Sequence, residues 1–276
     1  MLNIKNIIFP IIMIFVLFSF ITVYLFSELI DSHSQTKKII YPEQNWVQPF
    51  YSLNSNVTKI PILLYHNIDG KGPFSIKYDE LKKHFDYFKQ NDIAVISVKD
   101  MISVLNNEKR LTKTSVVITF DDGYKSIYTK LMPLAKEYNY PITVFVYTDF
   151  IYDHAVNSTT WKDLQELNRN NITVESHTIS HENLLEITNR TKLYHELYLS
   201  RKIIEMKMEK KISMIAYPFG RYNDEIIYLS KLAGYTKVFS TNFGSNNVFY
   251  NNYCLNRHHV KSDYKIDKIK EIIYSK

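Results

Sequence analysis

Ser115-Val116-Val117-Ile118-Thr119-Phe120 runs straight into Asp121-Asp122-Gly123. The first six residues are dominated by β-branched side chains and predict a strand. Two adjacent carboxylates stand where it ends, and Gly123 permits the chain to turn. Neighbouring residues of an extended segment point in opposite directions, so the two aspartates can divide roles, one toward a metal and one toward a substrate. A solvated strand-to-helix turn in which Asp caps the helix accounts for the same letters equally well at this point.

Outward from this strand, short apolar runs alternate with amphipathic stretches of helical length. Ile60 to Tyr65, Ile93 to Val98, Ile142 to Val146 and Ile172 to Glu175 read as strands, as do the shorter Met214 to Tyr217, Lys237 to Ser240 and Tyr253 to Val260. Asp79 to Gln90 has apolar residues at Leu81, Phe85 and Phe88, which is helical spacing. Lys99 to Asn106, Ser126 to Tyr138, Thr160 to Asn168, Thr191 to Met208 and Asp224 to Ala233 also read as helices. Thr160 with Asp163 makes a capping box, and Gly234 a C-terminal stop. Such alternation predicts an α/β fold with a parallel sheet, either open and doubly wound or closed as a barrel. With six glycines in 276 residues and no Gly-rich loop after the first strand, dinucleotide and P-loop sites are disfavoured.

The chemistry-bearing residues share one location. His66 follows Tyr65, Asp121 and Asp122 follow Phe120, His177 and His181 follow the strand near Glu175, and Pro218 follows Tyr217. In a parallel α/β fold the strand C-termini emerge at one face, so residues far apart in sequence are expected to converge there. His177 and His181 stand four apart; on one helical turn they share a face. Two imidazoles and one carboxylate with a position left for water describe a catalytic zinc site.

The N-terminal region has a different character. No residue from Ile7 to Phe26 is charged, and about 20 apolar residues suffice for a membrane-spanning helix. Lys5 precedes the run and Glu28 and Asp31 follow it, which places the N-terminus in the cytoplasm, although Lys37 and Lys38 oppose that orientation. Ser27-Glu28-Leu29 is a poor cleavage site, so an uncleaved anchor is expected over a removed signal peptide. The expected organisation is residues 1–6 cytoplasmic, 7–26 a transmembrane signal-anchor, 27–58 a polar stalk and 59–276 an extracytoplasmic folded domain. A cleaved segment would make the product secreted. The net charge of +6 is spread over isolated lysine pairs, and no motif supports nucleic-acid binding. One cysteine, Cys254, excludes an intramolecular disulfide and any multi-cysteine metal site.

Thr119 to Gly123, His177 to His181 and Ala216-Tyr217-Pro218-Phe219-Gly220 resemble, in order and separation, the first three motifs of the polysaccharide deacetylase family, the NodB-homology domain of carbohydrate esterase family 4. The resemblance spans roughly residues 59 to 260. It implies a distorted (β/α) barrel, with Asp121 as catalytic base and Asp122, His177 and His181 holding one divalent metal. On ligand type the metal is Zn2+, with Co2+, Ni2+ or Fe2+ also accepted. Leu64-Tyr65-His66-Asn67-Ile68 and Leu255-Asn256-Arg257-His258-His259-Val260 further resemble segments of the poly-N-acetylglucosamine deacetylases of the intercellular-adhesion type. Ala216 stands where many members carry an Arg that orients the base, and the usual C-terminal acid has no clear counterpart. Arg257 is therefore expected to replace that Arg and His66 the acid. Tyr124, Tyr217, Phe219 and Trp161 are candidates for stacking on sugar, Tyr217 and Pro218 also for the turn whose backbone N–H holds the oxyanion. The implied activity is hydrolysis of N-acetyl groups on exopolysaccharide or peptidoglycan. An O-acetyl esterase and a non-catalytic, membrane-tethered glycan-binding module are the alternatives.

Overall fold

The computed structural model of the chain describes residues 59–152, 156–242, 244–246 and 253–275. The apolar run from Ile7 to Phe26 and the polar segment after it lie outside them. Among the described residues no helix is long and apolar enough to cross a membrane.

The strands are β1 (Ile62–Tyr65), β2 (Ala94–Val95), β3 (Ser115–Phe120), β4 (Ile142–Val146), β5 (Ile172–Ser176), β6 (Met214–Ala216), β7 (Lys237–Phe239), β8 (Cys254–Leu255) and β9 (His258–His259). The helices are α1 (Tyr78–Gln90), α2 (Val98–Leu105), α3 (Met132–Tyr138), α4 (Trp161–Arg169), α5 (Arg190–Met208), α6 (Asp224–Leu232) and α7 (Ile266–Tyr274). Every ladder between named strands is parallel, in the order β8-β7-β6-β5-β4-β3-β1-β9, with β2 beside β3. The two ends of that order are consecutive pieces of one segment. Leu255 pairs with Phe239 on one side and His258 pairs with Leu63 on the other, so only Asn256 and Arg257 separate the edges. The sheet therefore curls into a half-barrel whose seam is this short stretch. Asn246 seals it: its side chain donates to the Asn256 carbonyl at 3.0 Å and accepts the Asn256 amide at 2.9 Å. The expected single strand from Tyr253 to Val260 is thus two strands with a break, and the break carries Arg257.

Inside the curl, alternate residues of the strands meet in one apolar cluster that includes Ile60, Ile62, Val117, Phe145, Met214, Ala216, Phe239 and Leu255. Alternation is what a pleated strand with one inward face requires. Val98, Met101, Val104 and Leu105 of α2 pack into the same cluster.

Two expected elements differ in form. The strand predicted from Ile93 to Val98 is confined to Ala94 and Val95, because Ser97 caps α2 by accepting the Asp100 amide at 3.0 Å. The helix predicted from Ser126 to Tyr138 opens with a π turn over Ile127–Leu131 before becoming α. Pro133 lies at that boundary and has no N–H for the ladder upstream. The capping box at Thr160 and Asp163 is present, with Thr160 Oγ1 accepting the Asp163 amide at 3.1 Å.

Candidate metal centre and active site

Asp121 leaves β3 with its amide still donating to the Tyr65 carbonyl at 3.0 Å, so the first carboxylate is held in the sheet. Asp122 then turns into the left-handed region at φ 76, followed by Gly123 at φ 91. A Cβ on Gly123 would lie 2.9 Å from Ile151 and 3.0 Å from Val146, so glycine is needed here for space as well as conformation. The turn sends the two carboxylates to different neighbours.

Asp121 is buried and gripped by Arg257, whose two terminal nitrogens donate to Oδ1 and Oδ2, each at 2.7 Å. The guanidinium is fully buried, lies over Phe145 and Phe239, and donates through Nε to the Ser240 carbonyl at 3.0 Å. Burial alone would raise the Asp121 pKa; the Arg257 charge, His177 and the hydrogen bonds from Arg257 outweigh it and hold the carboxyl below the usual range. Asp121 thus stays ionised.

Asp122 faces His177 and His181. Its Oδ1 lies 3.6 Å from His177 Nε2 and 3.4 Å from His181 Nε2, and that oxygen is buried without a hydrogen-bond partner. Burial, then the Asp121 charge beside it, pushes its pKa up to about 7, against smaller opposing effects of the Arg257 charge and a Tyr124 hydrogen bond. His177 Nδ1 lies 2.8 Å from the Ala216 carbonyl, which can only accept, so Nδ1 carries the proton and Nε2 presents its lone pair to the centre. Burial, foremost, pushes the His177 pKa down to about 4 and lowers that of His181 too, which keeps both rings neutral as ligands must be.

One ligand atom from each of Asp122, His177 and His181 can be chosen so that all lie within 4.8 Å of one another. An orphaned buried carboxylate oxygen facing two neutral imidazole nitrogens is a costly arrangement unless a cation completes it. The donor set fits a single divalent metal.

The route by which the two histidines meet departs from the helical expectation. Thr178 at φ 73 and His181 at φ 62 make a loop, and the rings stand 4.8 Å apart, edge to face. The loop is tied by Glu196, buried on α5. Its Oε2 accepts the Ile179 and Ser180 amides, each at 3.0 Å, and its Oε1 the Ser180 hydroxyl at 2.9 Å. Sequence reading missed Glu196; the available signal was an acid on the inward face of a helix.

His66 also reaches this end of the sheet. Its Nε2 lies 3.4 Å from His259 Nε2, the rings stack at 4.8 Å, and Phe74 covers His259 at 4.5 Å. Burial, against the pull of Asp121, pushes the His66 pKa down to about 3. His259 had no assigned role in the sequence reading. Two expectations are corrected. Tyr217 is fully buried, pointing to the helix side of the sheet where its hydroxyl meets Ser230 Oγ at 2.8 Å, so it has no face for a sugar. Its amide donates to the Phe239 carbonyl at 3.0 Å, and Pro218, also buried, has none, so the next amide of that turn belongs to Phe219. Phe219 itself, at φ 58, is 58% exposed and meets the His181 ring edge-on at 5.0 Å.

Known proteins carry the same arrangement of chain. The polysaccharide deacetylase family model matches residues 108–238. YxkH of Bacillus subtilis, a polysaccharide deacetylase by name, is 29% identical over 200 residues, covering 72% of this chain and 70% of its own. A poly-beta-1,6-N-acetyl-D-glucosamine N-deacetylase of Staphylococcus aureus is 27% identical over 179 residues, 60% of this chain and 61% of that enzyme's length. Among solved structures, Streptococcus pyogenes deacetylase PplD in complex with acetate superposes with a TM-score of 0.72 at 24% identity, over 79% of this chain and 99% of that one. IcaB from Ammonifex degensii gives 0.70 at 18% identity, over 78% and 96%. These two likenesses concern the fold.

Proposed function

We propose that this chain, which matches the polysaccharide deacetylase family model over residues 108–238, removes N-acetyl groups from a GlcNAc-containing polysaccharide, with β-1,6-linked poly-N-acetylglucosamine as the first substrate to test. The observation that carries this reading is the Asp122, His177 and His181 donor set next to an Asp121 kept ionised by Arg257. The likeness to the staphylococcal poly-N-acetylglucosamine enzyme favours that polymer over peptidoglycan.

In this reading Asp122, His177 and His181 hold one divalent ion, zinc on ligand type. When bound, such an ion supplies a polarised acetyl carbonyl and a water of lowered pKa. Asp121 accepts that water's proton. Arg257 occupies one lone pair on each of its oxygens, and Oδ2, 3.8 Å from His177 Nε2, retains a second toward the centre. Held this strongly, Asp121 is a weak base, suited to a water already acidified. The amide C–N bond breaks with hydroxyl passing to the acetyl carbon, and the departing nitrogen needs one proton. His66 is proposed to deliver it. Since burial keeps His66 neutral at rest, the proton it delivers is the one Asp121 has taken from the water, passed on by way of the His66 and His259 pair, so that Asp121 ends the cycle ionised as it began. Tyr124 orients Asp122 through its hydrogen bond.

We further propose that the uncharged run from Ile7 to Phe26 tethers the domain outside the membrane. Intact mass of the native membrane fraction tests it; a mature chain beginning beyond residue 26 would mean secretion. The activity is tested by acetate release from purified poly-N-acetylglucosamine, peptidoglycan and O-acetylated xylan. Release from the first, abolished by chelator, is expected. Release from the xylan alone would make the protein an esterase, and release from none would leave only glycan binding.

A further inference from the structure

In a parallel sheet every strand begins at the same end, so the connections leading into the strands form one face, opposite the candidate metal centre. Cations scattered in the sequence meet there. Arg110 lies on the connection from α2 to β3 and Lys211 on that from α5 to β6, while Lys136, Arg169, Lys207 and Lys231 stand in the last turns of α3, α4, α5 and α6. All six are exposed, and none makes an ion pair among the described residues. The carboxylates on the connections of this face are Asp92, Glu108 and Glu209, and Lys113 already pairs with Asp92 at 2.5 Å. A helix C-terminus carries about half a negative charge. A full cation in each last turn overcompensates it, and Arg110 and Lys211 stand on loops. The face is electropositive.

Lys136 and Arg169 flank a recess of about 260 Å³ that Asn139, Tyr140, Asn170 and Asn171 complete. No carboxylate lines it. An ammonium, a guanidinium and amide groups around one hollow suit a phosphate oxyanion.

The occupant is narrowed by where the chain enters the domain. Lys59 is exposed and leads into β1 at this same end of the sheet. Whatever joins the domain to the uncharged run from Ile7 to Phe26 therefore departs from the basic face. Residues 27–58, fully extended, could reach about 100 Å. A tether of that length does not by itself orient the domain.

We propose that this face docks on the anionic phospholipid headgroups of the membrane that carries the chain, with a lipid phosphate seated between Lys136 and Arg169. The choice of a bilayer over a soluble phosphate polymer rests on the tether reading above. Docking turns the strand ends that carry Asp122, His177 and His181 away from the lipid and toward the polymer outside. Each cation near an anionic surface gains about fivefold in partition. The gain falls off within a Debye length, so the contact is salt-sensitive.

The test uses the full-length chain with phosphatidylcholine vesicles, with and without phosphatidylglycerol. Hydrogen exchange in the connections before β3, β4, β5 and β6 is expected to slow about tenfold on the anionic vesicles only. It should recover at about 1 M salt, where the Debye length is about 3 Å. The combined Lys136→Gln, Arg169→Gln, Lys211→Gln variant should lose the slowing and keep the wild-type rate on a small aryl acetate, which reports an intact fold. Equal exchange on both vesicles, or slowing that persists in the triple variant, would overturn the proposal. Slowing by soluble poly(glycerol phosphate) and not by vesicles would overturn it as well, because the face would then take a polymer. Flotation separates this proposal from the tether reading. Flotation with the anionic vesicles alone, reversed by salt, would remove the tether and leave the docking face standing.

Discussion

Arg257 and Asp121 stand 136 positions apart in sequence, yet both terminal guanidinium nitrogens donate to both carboxylate oxygens at 2.7 Å. The pair is out of contact with water, so neither charge has a substitute partner. Removing one member of such a pair strands the other. Arg257→Ala is expected to destabilise the fold by about 3–5 kcal/mol, read from urea unfolding. Arg257→Lys keeps the charge and loses the fork, so the cost in stability is smaller while Asp121 loses its fixed orientation. Displacement of the base by about 1 Å can cost on the order of 10²-fold in rate. Near-native turnover in the lysine variant would show that the orientation is immaterial.

Asp121→Asn retains shape and loses the proton acceptor. Metal content measured by elemental analysis should stay normal while kcat for acetate release falls by about 10²–10⁴. Metal loss in step with activity would exchange the roles of Asp121 and Asp122.

His177→Ala and Asp122→Ala each delete a donor from a three-residue set. Neither is expected to hold metal through dialysis, and the circular dichroism of both should remain that of the wild type. Stoichiometric metal in His177→Ala would remove it from the ligand set.

Glu196 accepts three hydrogen bonds from Ile179 and Ser180, in the loop that joins His177 to His181. Glu196→Ala leaves the Ile179 and Ser180 amides without that acceptor, so His181 loses its fixed position. Groups that orient ligands typically matter by about 10–100-fold in metal affinity. Competition with a chromophoric chelator measures this, and unchanged affinity would confine Glu196 to fold stability.

His84 is fully buried, with Nδ1 3.1 Å from the Tyr65 hydroxyl, and burial, foremost, pushes its pKa down to about 4. The sign follows from proton uptake. Between the unfolded value of about 6.5 and the folded value, the unfolded chain binds the extra proton, so stability falls as pH is lowered through that window. One such group contributes up to about 1.4 kcal/mol per pH unit. His84→Gln keeps a partner for Tyr65 and should flatten the acid limb of unfolding free energy between pH 6.5 and 4 by one proton's worth. An unaltered slope would place the acid sensitivity in the other buried histidines.

Strand ends were readable because they follow a local rule. A β-branched run such as Ser115 to Phe120 predicts its own end, and a parallel sheet places such ends on one face; this is why Asp121, Asp122, His177 and His181 could be grouped from letters alone. The local geometry between His177 and His181 was not readable. Spacing of four suits a helix, but Glu196 pays the loop's amides with hydrogen bonds from a different element, and that competition is settled only in three dimensions. Tyr217 and Phe219 illustrate the same limit. Both are aromatic residues at one turn, and alternation past β6 sends the first into the core while a left-handed φ sends the second to solvent. The break at Asn256 and Arg257 was hidden because a strand that changes partners midway has the composition of a strand throughout.

That break has a consequence for how the protein is made. The three candidate metal donors are all synthesised before residue 182, but the guanidinium that holds Asp121, and the segment that joins the two sheet edges, come from residues 254–259. A nascent or truncated chain through β7 would carry every ligand and still have a base with no anchor and a sheet with two open edges. The anchor and the seam thus arrive late in synthesis, so a chain ending at β7 is expected to release no acetate.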